Sequence, residues 1–223
     1  MKTRTLIAIA SIVAIVLMSA TPATATYMGS LSTADETLDG YGGWESGTSL
    51  EWVVDYNAGD NSWTYNYKWT SPNRDLSHID VEVSEGMLPS ELWAFSPTND
   101  PLTDTWEGVK TFNELTGHSI YGVRYNVSSI DQGDVVDFSF TSSHAPMWGD
   151  IYAKDGDGTY ALNSMFGTDS SHPLGNGNND GWALVPNSHA SAPVPEPATM
   201  ILFGSGLIGL AGMGRRTMQS RRQ

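Results

Sequence analysis

The 223-residue sequence contains no cysteine. That absence excludes disulfides, thiolate nucleophiles and cysteine-based metal sites. Basic residues are scarce away from the two ends. Between residues 26 and 193 only Lys68, Arg74, Lys110, Arg124 and Lys154 are basic, against 24 acids, so this body is near −19 while the whole chain is at −14. Nucleic acid is therefore not an expected partner, because phosphate must be neutralised by Lys and Arg. An acidic body suits solubility, divalent cations, or neutral and basic matrix components. Catalytic motifs are missing too. His78, His118, His144, His172 and His189 show neither H-x-x-x-H nor H-E-x-x-H spacing, and G-x-S-x-G does not occur. Glycosidases need two carboxylates about 5–10 Å apart, and among so many acids no pair stands out. The chain is not expected to be an enzyme, and a secreted hydrolase is the last alternative.

Long apolar runs occur only at the ends. Lys2 and Arg4 precede the apolar run Leu6–Met18, and Ala23-Thr24-Ala25 follows. A charged start, a short apolar stretch and a small-residue exit are the parts of a secretory signal peptide. Cleavage after Ala25 is expected, with signal peptidase and the Sec export machinery as partners. At the other end, Ala198–Gly214 is 17 residues without charge. A membrane crossing takes about 17–25. Lipid enforces helical pairing of the backbone, so a single apolar helix is expected there, with Arg215 and Arg216 at the cytoplasmic face of the inner membrane. Pro195 and Pro197 flank Glu196 and keep that stretch extended, which suits the grip of a processing enzyme. A plain anchor behind a proline-rich linker fits the same residues. Gly204-Ser205-Gly206-Leu207-Ile208-Gly209 formally fits G-x-G-x-x-G, but no acidic residue follows it, so a dinucleotide site is not expected.

Pro195-Glu196-Pro197, the glycine-rich apolar span and the Arg pair together resemble the PEP-CTERM sorting domain of Gram-negative bacteria. The resemblance covers about residues 193–222. It implies recognition by an exosortase, removal of the tail, and a host that makes exopolysaccharide or biofilm. The stretches Met147–Gly156 and Asp180–Pro186 are similar to ones in uncharacterised PEP-CTERM surface proteins, which implies a β-fold and no assigned activity. The expected organisation is a signal peptide over 1–25, one domain over 26–187, a linker over 188–193 and a sorting tail over 194–223.

The body reads as strands. Trp63, Tyr65, Tyr67 and Trp69 alternate with polar residues, the period of a half-buried strand whose aromatic face is core. Ser49–Tyr56 and Ser62–Thr70 form a hairpin around Asn57–Asn61. Ile79, Val81 and Val83 mark another strand. Tyr121–Val127 and Val136–Phe140 are expected as a second hairpin around Asp131–Asp134, and Ile151–Lys154 with Thr159–Asn163 as a third. Trp182–Val185 is a further strand. Ser90–Phe95 is expected as a helical turn or two. The fold class is all-β, a single antiparallel sandwich or jelly-roll-like domain.

Candidate sites are few. Trp44 and Trp148 each adjoin glycine and are expected exposed at loop edges, where an indole face can stack on a sugar. Asp155 and Asp157 share a tight turn and are a candidate cation pair. Asn176, Asn178 and Asp180 fit the first half of a Ca²⁺ loop, but position twelve is Asn187 rather than the bidentate Glu of an EF-hand. A looser Ca²⁺ site is the only cofactor in view, and no cofactor is the favoured expectation. The expected role is a surface or matrix protein, structural or adhesive, associated with exopolysaccharide or biofilm. A carbohydrate-binding module that retains exopolysaccharide is the alternative.

Overall fold

The computed structural model describes residues 25–73, 75–97, 105–115, 118–127, 135–156, 158–168 and 181–187. Its regular structure is antiparallel strand, as the alternating sequence requires. The five-stranded sheet runs in the order β1 (Thr26–Ser32), β3 (Ser49–Asn57), β4 (Ser62–Thr70), β9 (Val135–Ser142) and β6 (Leu92–Ser96). The six-stranded sheet runs β2 (Leu38–Tyr41), β12 (Tyr160–Asn163), β11 (Ile151–Lys154), β5 (His78–Glu82), β8 (His118–Asn126) and β7 (Thr105–Leu115). A separate pair joins β10 (Pro146–Gly149) to β13 (Ala183–Pro186).

The two large sheets pack face to face around one core. On β4, Trp63, Tyr65, Tyr67 and Trp69 all point inward and are buried. Their cross-strand neighbours continue the layer: Leu50, Trp52 and Val54 on β3, and Val136, Phe138 and Phe140 on β9. Tyr67 stacks on Phe138 at 5.0 Å and Tyr65 on Phe140 at 5.4 Å, an arrangement that stabilises neighbouring strands by roughly 0.2–1 kcal/mol a pair. The opposing sheet answers with Trp106 and Tyr125. Trp106 meets Phe140 edge-on at 5.9 Å, and Tyr125 meets Phe138 at 5.7 Å. Gly29 lies across from Trp52, and a Cβ there would fall 2.4 Å from the indole, so only glycine leaves room for that ring.

Buried phenols need acceptors. Tyr67 donates to the carbonyl of Leu184 at 2.6 Å and Tyr65 to that of His144 at 2.9 Å, which ties the core row to β13 and to the loop before β10. Burial pushes the Tyr65 and Tyr67 phenols well above their ordinary range.

The hairpins β3–β4 and β11–β12 form as the sequence suggests. Two expectations fail. Tyr121–Val127 and Val136–Phe140 are not a hairpin: β8 pairs with β5 and β7, whereas β9 pairs with β4 and β6 in the other sheet. Both strands alternate, but the aromatic face of β9 matches that of β4, and side-chain packing overrides sequence proximity. Ser90–Phe95 is not helical beyond a single 3₁₀ turn at Pro89–Glu91, after which β6 begins. The Glu91 carboxylate accepts from the Leu88 amide at 2.6 Å and closes that turn. Trp106 lies in β7, a strand that the alternation of the sequence does not mark. In β7 the register shifts twice, between Glu107 and Lys110 and again between Phe112 and Leu115, so no period of two survives in the sequence.

Candidate functional site

The tail residues Pro195, Glu196, Pro197, Arg215 and Arg216 lie outside the described residues, as do the expected signal-peptide residue Ala23, the linker and the apolar span. Among the described residues no helix is long and apolar enough to cross a membrane. Ala25 is the first described residue. Its carbonyl accepts from the Tyr56 amide at 2.8 Å, so the edge of the sheet already engages it.

The two aromatic candidates do not behave alike, and neither stands at an exposed loop edge. Trp44 is fully buried and meets Trp69 edge-to-face at 5.2 Å. It ends a 3₁₀ turn, Gly42–Trp44, entered through Gly42 at φ +66°, and that turn folds the indole into the core rather than out of it. Gly40 makes the fold-back possible, because a Cβ there would fall 2.0 Å from the Trp44 carbonyl. Trp148 is half-buried within β10, paired with Leu184 and packed on the core. An indole without a free face cannot stack on a sugar, which removes Trp44 as a platform.

Asp155 serves the turn between β11 and β12. Its carboxylate accepts from the Gly156 amide at 2.5 Å, and its own amide donates to Thr159 at 2.8 Å. Asp157, Asn176, Asn178 and Asp180 lie outside the described residues. Among the described residues no three acids or histidines are grouped to hold a metal ion.

What the fold does assemble is an aromatic strip on the outward face of the six-stranded sheet. Tyr41 on β2 is the cross-strand partner of Tyr160 on β12. Their rings stack at 4.5 Å and 20°. Tyr160 in turn stacks on Tyr152 of β11 at 6.0 Å and 26°. His78 and Phe166 flank Tyr152. Deeper in the same face, Arg124 grips the buried Asp80 with two bonds of 2.6 and 2.8 Å and lies 4.3 Å over the Phe112 ring. Asp80 is the cross-strand neighbour of Tyr152, so that bidentate pair stands at the strip's inner end. Its outer end is open: Tyr41 is 45% exposed.

Beside Tyr41 the edge of the sheet carries a cavity of about 250 Å³. Glu36, Asp39 and Glu45 line it together with Thr33, and among the described residues no basic one does. Glu36 sits at φ +62°, in the left-handed region that a non-glycine residue seldom occupies. The Asp35 carboxylate holds this turn by accepting from the Thr37 hydroxyl at 2.6 Å and from its amide at 3.2 Å. Sequence reasoning missed this place because β2 is four residues long and contains a glycine, too short for a period to register.

A second exposed aromatic, Trp93 on β6, is 38% exposed and precedes Ala94 at φ +52°.

Residues 193–216 match the family model of the PEP-CTERM protein-sorting motif. No curated protein matches the chain. Among solved structures the chain is similar to the KRT10-binding region domain of the pneumococcal serine rich repeat protein PsrP, at 12% identity, over 74% of this chain and 97% of that one, with a TM-score of 0.26. A likeness at that score carries no argument. The sorting motif implies exosortase processing and indicates an exported, cell-surface-associated protein.

Proposed function

We propose that the chain is a non-catalytic surface or matrix protein with a structural or adhesive role in an exopolysaccharide-rich envelope. The observation that supports this reading is the PEP-CTERM motif at residues 193–216 attached to an antiparallel β-sandwich. The sandwich spends its rings on its own interior: Trp44, Trp52, Trp63, Trp69 and Trp182 are all buried. A precursor held by the apolar span and then cut by an exosortase accounts for the tail. Intact-mass measurement of surface-extracted protein tests this, in the host with and without its exosortase. The expected result is a mature mass lacking Arg215–Gln223, and a longer species when the exosortase is missing. Identical masses in both strains would sink the processing step and leave a permanent anchor.

Carbohydrate binding is the second reading, and one observation favours it: the stacked Tyr41–Tyr160 pair with an open ring beside an edge cavity. Sugar rings offer flat C–H faces that stack on aromatic planes, while carboxylates accept from their hydroxyls. A glycan array probed with the released protein checks this, and uniformly flat signals would remove it.

A further inference from the structure

We propose that the cavity beside Tyr41 is a subsite for a sugar carrying a protonated amine, such as a deacetylated hexosamine unit of a polysaccharide. This rests on the carbohydrate-binding reading and narrows it to one ligand class.

The aromatic side of the site is rigid. Tyr152, Tyr160 and Tyr41 form a continuous stack across three neighbouring strands, so the last ring is held from behind. One face of the Tyr41 ring rests on Tyr160, and the residue remains 45% exposed. A preorganised ring costs little ordering entropy when a ligand stacks on it. The cavity is smaller than the clefts of about 300–1,000 Å³ that take drug-sized ligands. It has room for about one ring of a chain that continues along the sheet edge.

The polar side selects charge. Glu36, Asp39 and Glu45 all line the cavity, and among the described residues none of the three carboxylates is engaged in a hydrogen bond or ion pair. They are not grouped closely enough to hold one metal ion. Spaced carboxylates around a ring-sized hollow instead suit an organic cation with several donors. An ammonium donates charge-assisted hydrogen bonds to carboxylates and is attracted to the face of Tyr41. A uronic acid meets repulsion here, from the cavity and from a body near −19. A neutral sugar gains the stacking and ordinary hydrogen bonds only. A competing use of the same acids is to keep the short edge strand β2 from pairing with other chains.

Calorimetry separates these possibilities. The protein as released by its host is titrated at about pH 6, below the range in which amino groups of the α-amino kind titrate. The probes are glucosamine oligomers, N-acetylglucosamine oligomers of equal length, and oligolysine. The variants are Tyr41→Ala, Asp39→Asn with Glu45→Gln, and, as a charge-matched control on the other sheet, Glu51→Gln with Asp55→Asn. The expected result is binding of glucosamine oligomers about tenfold tighter than of the acetylated ones, and a loss of about tenfold on Tyr41→Ala, the scale of one aromatic contact. Asp39→Asn with Glu45→Gln should erase the preference, and the control pair should leave it intact. Equal affinity for the two sugar series would overturn the amine and leave carbohydrate binding standing. Equal weakening by the control pair, or oligolysine binding as tightly and indifferently to Tyr41→Ala, would reduce the effect to bulk charge and overturn the subsite. Binding to none of the glycans would overturn both readings.

Discussion

The row Trp63, Tyr65, Tyr67 and Trp69 on β4 and the row Tyr41, Tyr160 and Tyr152 across β2, β12 and β11 are built from similar rings. The first is buried throughout and ends its phenols on backbone carbonyls of other elements. The second runs along the outward face of the opposite sheet, buried at Tyr152 and open at Tyr41. The first row lies along one strand, so alternation reveals it. The second crosses three strands, one ring from each, so no window of sequence contains it. An aromatic row along a strand is a statement about core, whereas a row across strands exists only once register is set.

The contrast can be broken most forcefully at Trp69. Trp69→Ala empties a core position that touches Trp44, and should cost about 3–5 kcal/mol, read as a lower denaturation midpoint in urea. A loss under about 1 kcal/mol would mean that the row is not core. Tyr67→Phe keeps the ring and removes only the 2.6 Å bond to Leu184. Leaving that buried carbonyl without its donor should cost about 1–3 kcal/mol, and the same melt measures it. Tyr41→Ala is the counterpart in the outer row. It should change stability by less than about 1 kcal/mol, because an exposed stacked pair contributes little beyond its own contact. A large destabilisation there would show that the outer strip is structural and weaken its reading as a platform.

The smallest effect concerns acid. The Leu88 amide, and after it His144, hold the Glu91 carboxyl below its usual value of 4.5. A carboxyl depressed in the folded state stabilises the fold above the unfolded value, and that contribution is lost as pH falls through the folded value. Glu91→Gln should therefore be slightly less stable than the parent at neutral pH. The gap should close below about pH 4.5, as seen in denaturant midpoints taken across that range. A gap independent of pH would show that the Leu88 turn does not depend on the charge.

Much of the β4 layer was legible from residues 49 to 70 because strand period, turn chemistry and aromatic spacing agree there. The site was not. Trp44 next to two glycines looks like a loop-edge residue, yet the positive φ at Gly42 turns it inward. β7 was hidden by its two register shifts, and with it the role of Trp106 in bridging the sheets. The expected hairpin after Val127 failed because local turn residues say that a chain reverses, not which sheet receives the next strand.

The sequence by itself determined the sorting motif, the acidic charge and the all-β class. These are set by short contiguous patterns and by composition, which need no partner in space. Only the tertiary structure decided which tryptophans are core, which strands share a sheet, and that Tyr41, Glu36, Asp39 and Glu45 meet around one cavity. Those outcomes depend on register and on packing between residues far apart in the chain, where the energy of burial outweighs any local preference.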